Sequence, residues 1–272
     1  MNLFFYTLIF MIGTLFGSFY TLAVYRIPKK QDITHTHSYC PNCNHKLGFL
    51  DLIPIISYLF LKGRCRYCKE KIRLRYLILE ILSGMLFVIV AFFMKFNLQT
   101  LTASKIAQYS FMVLYLTFII LIAGIDKENR KMDKFVSIYG IVISIMYMVY
   151  LCIVEQANIY RYAIYLIGYI MVLVLDTITL KRYAKNSYII GIFFMLLTMT
   201  IFTGEYITVN TIISTSLTIV LYIIIYKIEQ ARKTKKKAEQ PMISRISIGY
   251  ILAIFNIFIV ILILFKSHYL NI

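Results

Sequence analysis

An all-α polytopic membrane protein is the fold class this sequence predicts, with about eight transmembrane helices and a small zinc-ribbon-like loop domain on the cytoplasmic side. Three observations predict it. Sixty per cent of the 272 residues are apolar and only 15% are charged, well below the quarter expected of a soluble domain, and mean hydropathy is +0.77. Apolar stretches of about 20 residues, enough to cross a bilayer as helix, recur along the chain. The charge is lopsided: 29 Lys and Arg against 12 Asp and Glu, a formal net charge of +17. The same composition excludes an ordinary cytosolic domain and a disordered chain.

Taken in order, the spans fall at 3–25, 76–94, 106–125, 136–154, 162–180, 188–203, 207–226 and 248–265. The first reads as a retained helix rather than a secretory signal. Met1-Asn2-Leu3 carries no positive charge, and Arg26, Lys29 and Lys30 follow the apolar run. With the N-terminus outside, residues 26–75, 126–135, 181–187 and 227–247 face the cytoplasm and hold 25 of the 29 Lys and Arg. That bias is the positive-inside pattern of a membrane protein, so the charge needs no nucleic acid. Only 26–75 and 227–247 exceed a turn in length. The second, with Lys233-Thr234-Lys235-Lys236-Lys237 before Pro241, suits anionic lipid headgroups. The chain thus divides into a first helix (1–25), a cytoplasmic loop domain (26–75) and a helical bundle (76–272), with no convincing internal repeat.

The loop carries four of the five cysteines, as Cys40-Pro41-Asn42-Cys43 and Cys65-Arg66-Tyr67-Cys68. Each short pair supplies two thiolates from one tight turn, and two such pairs close a tetrahedral site around structural zinc. Four thiolates fill the coordination shell, so such an ion would hold structure rather than activate water. Two disulfides are the alternative, disfavoured on the reducing cytoplasmic side. His35, His37 and His45 lie near enough in sequence to replace a cysteine, but beside a complete set they read as loop residues. Cys152 reads as a packed apolar side chain.

Ionisable residues at membrane depth are costly and therefore informative. Glu80 stands about one turn inside the second span, Asp126 closes the third, and Asp176 lies about one turn above Lys181. Asp126 and Asp176 fall within about 7 Å of each other in depth. Two carboxylates sharing a proton can activate water and protonate a substrate carbonyl, which hydrolyses an amide without a metal. The plainer alternatives are a boundary acid paired with Arg130 and a hydrogen bond within the bundle. Glu205 and Asp133 are weaker candidates for a second acid, one on the outer side and one in a hydrophilic loop.

Residues 13–84 resemble the bacterial type IV prepilin peptidases, the leader peptidase/N-methyltransferase family. The likeness rests on Gly17-Ser18-Phe19, Tyr25-Arg26-Ile27-Pro28, Cys40-Pro41-x-Cys43 and Asp51-Leu52-Ile53-Pro54-Ile55-Ile56-Ser57-Tyr58. It continues through Gly63-Arg64-Cys65-Arg66-Tyr67-Cys68, Ile72, Arg73, Arg75-Tyr76 and Glu80, and Ile125-Asp126-Lys127-Glu128 is similar to the family's first catalytic segment. The resemblance implies a plasma-membrane aspartic endopeptidase that removes the leader of type IV prepilins or pilin-like proteins at the cytoplasmic face. It also implies N-methylation of the new N-terminus from S-adenosylmethionine. Two departures stand out. Asp133-Lys134 replaces the family's Pro-Asp, and Ala184-Lys185-Asn186-Ser187-Tyr188 stands where Gly-x-Gly-Asp is expected. The expected catalytic pair is therefore Asp126 with Asp176. The alternative is a proteolytically inactive scaffold or binding protein; a transporter rests on the intramembrane acids alone.

Overall fold

Each apolar run folds as one helix. The computed structural model describes residues 2–35, 37–99, 101–182, 187–232 and 246–270, apart from the side chains at 176, 179–182, 187, 227–232 and 269–270. In chain order the helices are α1 (Asn2–Arg26), α2 (Ile56–Phe60), α3 (Arg75–Phe93), α4 (Ala103–Asn129), α5 (Lys134–Ile153), α6 (Ile159–Arg182), α7 (Ser187–Thr203), α8 (Glu205–Arg232) and α9 (Ile248–Leu270). Among the described residues α1, α3, α4, α5, α8 and α9 are long and apolar enough to cross a membrane, while Ile159–Leu175 and Tyr188–Thr203 are shorter apolar helices. This is a helical membrane protein whose spans lie where the hydropathy places them. The basic loop at 233–245, Lys233 to Lys237 included, lies outside the described residues.

The chain forms two compact units, Met1–Val113 with Ser267–Ile272, and Leu114–Lys266. In the first, α1 and α3 run antiparallel at close range, because Gly13 faces Gly84 and Gly17 faces Glu80. A Cβ built on either α1 glycine would lie 2.8 Å from the facing Cα atom. Small residues let membrane helices approach this closely, and dispersion replaces the absent hydrophobic drive. The Gly13-x3-Gly17 spacing is therefore used within the chain. Phe16 against Phe87 (5.4 Å between ring centroids) and buried Tyr20 fill the space beside the seam. Near the helix ends Phe96 stacks on Tyr109 at 4.5 Å, and the Tyr109 hydroxyl donates to the Phe87 carbonyl.

The second unit holds the end of α4 with α5 to α9. From Tyr115 to Asp126, α4 buries Leu116, Phe118, Ile119, Ile122 and Ile125. Gly140 of α5 admits the Phe118 ring, since a Cβ there would lie 2.4 Å from Phe118 Cε2. Two buried tyrosine hydroxyls are paired, as a dry interior favours. The Tyr169 hydroxyl bonds Ser144 and Thr198, and the Tyr115 hydroxyl donates to Asn256 at 2.6 Å. Helix α4 runs to Asn129, four residues beyond the expected span end. Lys127 suits the negative C-terminal pole, and the left-handed Arg130 (φ 53°) then stops the helix, its N–H on the Asp126 carbonyl.

Candidate functional sites

The four cysteines converge. Their Sγ atoms all lie within 4.8 Å of one another, with Cys40 and Cys68 3.8 Å apart. Two equivalent knuckles produce this. In the first, Cys40 N–H donates to the His45 carbonyl, Asn44 N–H to the Cys40 carbonyl, and Tyr39 bridges Lys46. In the second, Cys65 pairs with Glu70, Lys69 with Cys65, and Arg64 with Lys71, every partner displaced by the same 25 positions. Asn44 (φ 55°) and Lys69 (φ 60°) take the matching left-handed turn. This local repeat escapes a sequence reading because only the cysteines and one lysine are shared between the halves.

Contacts between the knuckles lock the lobe. His45 lies against Tyr67 with ring centroids 3.5 Å apart and the planes tilted by 33°, and the Asn42 amide reaches the Cys68 sulfur at 3.7 Å. Arg66 Nε lies 2.6 Å from Asp51 Oδ1. Burial works upward on the Asp51 carboxyl, but Arg66, the Gly48 N–H and Tyr67 together hold the group below its ordinary range. The Glu70 backbone N–H draws the Cys68 thiol down to about 7. Against the lowering influence of the His45 N–H, lost solvation and the Cys68 and Cys40 sulfurs push Cys43 up to about 11. Thiols this crowded ionise together only around a cation, so the donor set fits zinc, which Cys40, Cys43, Cys65 and Cys68 could hold. None of His35, His37 and His45 belongs to the cluster among the described residues.

Two further residues tie the lobe to its helices. Arg26, buried at the end of α1, donates to the carbonyls of Asp32 (2.9 Å) and His37 (3.1 Å). Glu80 accepts the Ile55 N–H at 2.8 Å, fixing a turn in which Ile55 takes φ 63°. Glu80 is thus engaged in holding the loop.

Asp126 is fully buried at the end of α4. Its Oδ2 accepts the Tyr250 N–H (3.0 Å) from the first turn of α9 and the Tyr188 hydroxyl (3.1 Å) from α7. That hydroxyl in turn accepts the Ile248 N–H at 2.9 Å. A carboxylate against the N-terminal amides of a helix is a stabilising arrangement. Gly249 makes it possible: a Cβ there would lie 3.1 Å from Asp126 Oδ2 and 2.3 Å from the Met132 Cε. Met132 also fills the space left by Gly191. The other oxygen, Oδ1, has no hydrogen-bond partner among the described residues. Lys127 sits over the Tyr250 ring, its Nζ 3.1 Å from the hydroxyl.

The other candidate acids lie elsewhere. Asp133 caps α5, accepting the Phe135 N–H at 2.9 Å. Glu205 starts α8 and pairs with Arg161 (2.5 Å) and Tyr165. Asp176 falls on α6, and its side chain lies outside the described residues, as do residues 184–186. Tyr188 and the α9 amides are the contacts that sequence reasoning missed. Nothing but a small Gly249 at the head of an apolar run signals them.

The architecture defines a polytopic helical membrane protein with a cysteine-clasped lobe between its first two spans. Residues 11–94 match the family described as bacterial peptidase A24 N-terminal domain. The prepilin leader peptidase/N-methyltransferase of Myxococcus xanthus is 40% identical over 79 residues, covering 29% of this chain and 24% of that protein. The protein of the same name from Vibrio cholerae is 41% identical over 85 residues, 28% and 34% of the two chains. That of Klebsiella pneumoniae is 29% identical over 128 residues, 45% and 52%. Over its first two spans and the lobe between them, the chain is therefore similar to the bacterial prepilin leader peptidase/N-methyltransferases. Its alignments span from a quarter to about half the length of these relatives. No solved structure matches the chain.

Proposed function

We propose that the chain is a membrane aspartic endopeptidase that removes the leader of a type IV prepilin or pilin-like protein at the cytoplasmic face. The observation that carries this reading is Asp126: a fully buried carboxyl with one oxygen held by Tyr188 and Tyr250 and the other without a hydrogen-bond partner among the described residues. A group oriented through one oxygen keeps the second for water. In the proposed reaction Asp126 and Asp176 share one proton. The ionised member takes a proton from water as its oxygen attacks the scissile carbonyl, and the protonated member donates to the carbonyl oxygen. The tetrahedral intermediate then expels the amine, which leaves with a proton. Zinc in the four-cysteine site would hold the lobe's shape and take no part in hydrolysis. Methylation of the new amine, with S-adenosylmethionine as donor, belongs to the same reading because the relatives carry that name.

The test is cleavage of a prepilin-like peptide by the purified full chain in lipid, followed by mass spectrometry. Cleavage abolished by both Asp126→Asn and Asp176→Asn supports the pair. Undiminished cleavage in Asp176→Asn removes Asp176 from the mechanism.

A second reading is a non-proteolytic member that binds pilin-like helices. It is favoured by Tyr188, which donates to Asp126 from the stretch where the family's second aspartate is expected. Specific peptide binding with no product under any condition would establish it.

A further inference from the structure

We propose that α2 and the turn before it form an interfacial lipid anchor, seated at the headgroup–acyl boundary of the leaflet where α1 ends and α3 begins. The segment is too apolar for its exposure. Leu52 is 41% exposed, Ile56 51%, Leu59 61% and Phe60 83%, all in the loop between two spans. Such a patch outside the membrane marks an interaction surface.

Its depth identifies the occupant. Ile55, the residue before α2, donates its N–H to Glu80 at 2.8 Å. Glu80 lies five residues inside α3, roughly 7 Å along the helix from Arg75. The Tyr58 hydroxyl of α2 also reaches the Ile72 carbonyl, and Gly63 leaves room for that ring. The short helix is therefore pinned beside the first turns of a spanning helix, and cannot rise into bulk water while Ile55 keeps its bond. At this level Leu74 (57%), just before α3, and Ile78 (45%), in its first turn, are likewise exposed, as lipid-facing side chains are.

The chemistry of the rim agrees. Lys62, Lys71 and Arg73 are exposed around the patch. Long basic side chains can reach phosphates while their stems lie along apolar surface. An apolar tip with a basic rim fits a bilayer bearing anionic headgroups. A protein helix or a second copy of the chain is the competing occupant.

The chain contains no tryptophan, so one introduced indole reports alone. The full-length Phe60→Trp variant is reconstituted into phosphatidylglycerol–phosphatidylethanolamine vesicles, with or without acyl chains brominated near the headgroup. Burial in the upper bilayer predicts at least about a twofold loss of emission in the brominated vesicles and resistance to aqueous iodide. Quenching by iodide without quenching by bromolipid places the tip in water and overturns the proposal. Protection from both quenchers means that protein covers the patch, and overturns it equally. Leu59→Trp, read in the same way, supplies the answer if Phe60→Trp fails to reconstitute.

Discussion

Replacing Gly17 by alanine should loosen the seam between α1 and α3. The new Cβ would meet the Glu80 Cα at 2.8 Å and the Leu79 carbonyl oxygen at 2.9 Å, whereas ordinary contact begins at 3.4 Å. Both obstacles are backbone atoms, so no rotamer relieves them. The helices must separate by about 0.6 Å, and overpacking of this kind costs roughly 1–3 kcal/mol. Alanine returns about 1 kcal/mol as a better helix former, which leaves a net loss of roughly 0–2 kcal/mol. Gly168→Ala is the matched control, because its Cβ would meet only the Leu197 methyl groups, at 3.3 and 3.8 Å. A methyl at the end of a side chain can move, so that variant keeps alanine's gain and should match the parent or exceed it by up to about 1 kcal/mol. Reversible unfolding of the full chain in mixed micelles, titrated with sodium dodecyl sulfate, measures both. Equal resistance of the two variants would refute the argument from helix proximity.

Three other outcomes follow from the geometry. Cys43→Ser or Cys68→Ser should reduce bound zinc at least about tenfold, read by elemental analysis after dialysis, since a structural site needs its full ligand set. Asp133→Ala should cost about 0.5–2 kcal/mol by removing the cap of α5, measured in the same detergent titration. The Asp32 carboxyl, held down to about 2 by the Thr34 N–H and hydroxyl and the His35 N–H, favours the folded turn above the ordinary carboxylate range. That contribution is lost as pH falls through about 2, and Thr34→Ala should move the carboxyl resonance midpoint upward in an NMR titration.

The helices were legible because bilayer crossing demands long apolar runs, and hydropathy registers those directly. The cysteine cluster was legible because ligand spacing is a local property: Cys40 with Cys43 and Cys65 with Cys68 each come from one turn. Gly13 and Gly17 stand one helical turn apart, but their partner helix was not legible, since α3 contributes Ser83 and Gly84 without a comparable pattern. The surroundings of Asp126 were not legible. Tyr188 and Tyr250 stand 62 and 124 residues away in sequence, and their hydrogen bonds arise from packing alone. Glu80 carried an ambiguous signal, because a carboxyl at that depth suits either chemistry or a backbone tether, and only the position of Ile55 distinguishes them.

The twin knuckles set an order of events during synthesis. Neither half can gather four sulfurs alone, so the clasp stays open until Cys68 has been made, seven residues ahead of Arg75 and the start of the next crossing. By then α1 is complete and Arg26 is waiting for the carbonyls of Asp32 and His37. Capture of a metal by the four sulfurs would thus fall in the same short interval as entry of α3 into the bilayer. A cell starved of zinc would meet that interval with a fifty-residue loop still unfastened between its first two anchors.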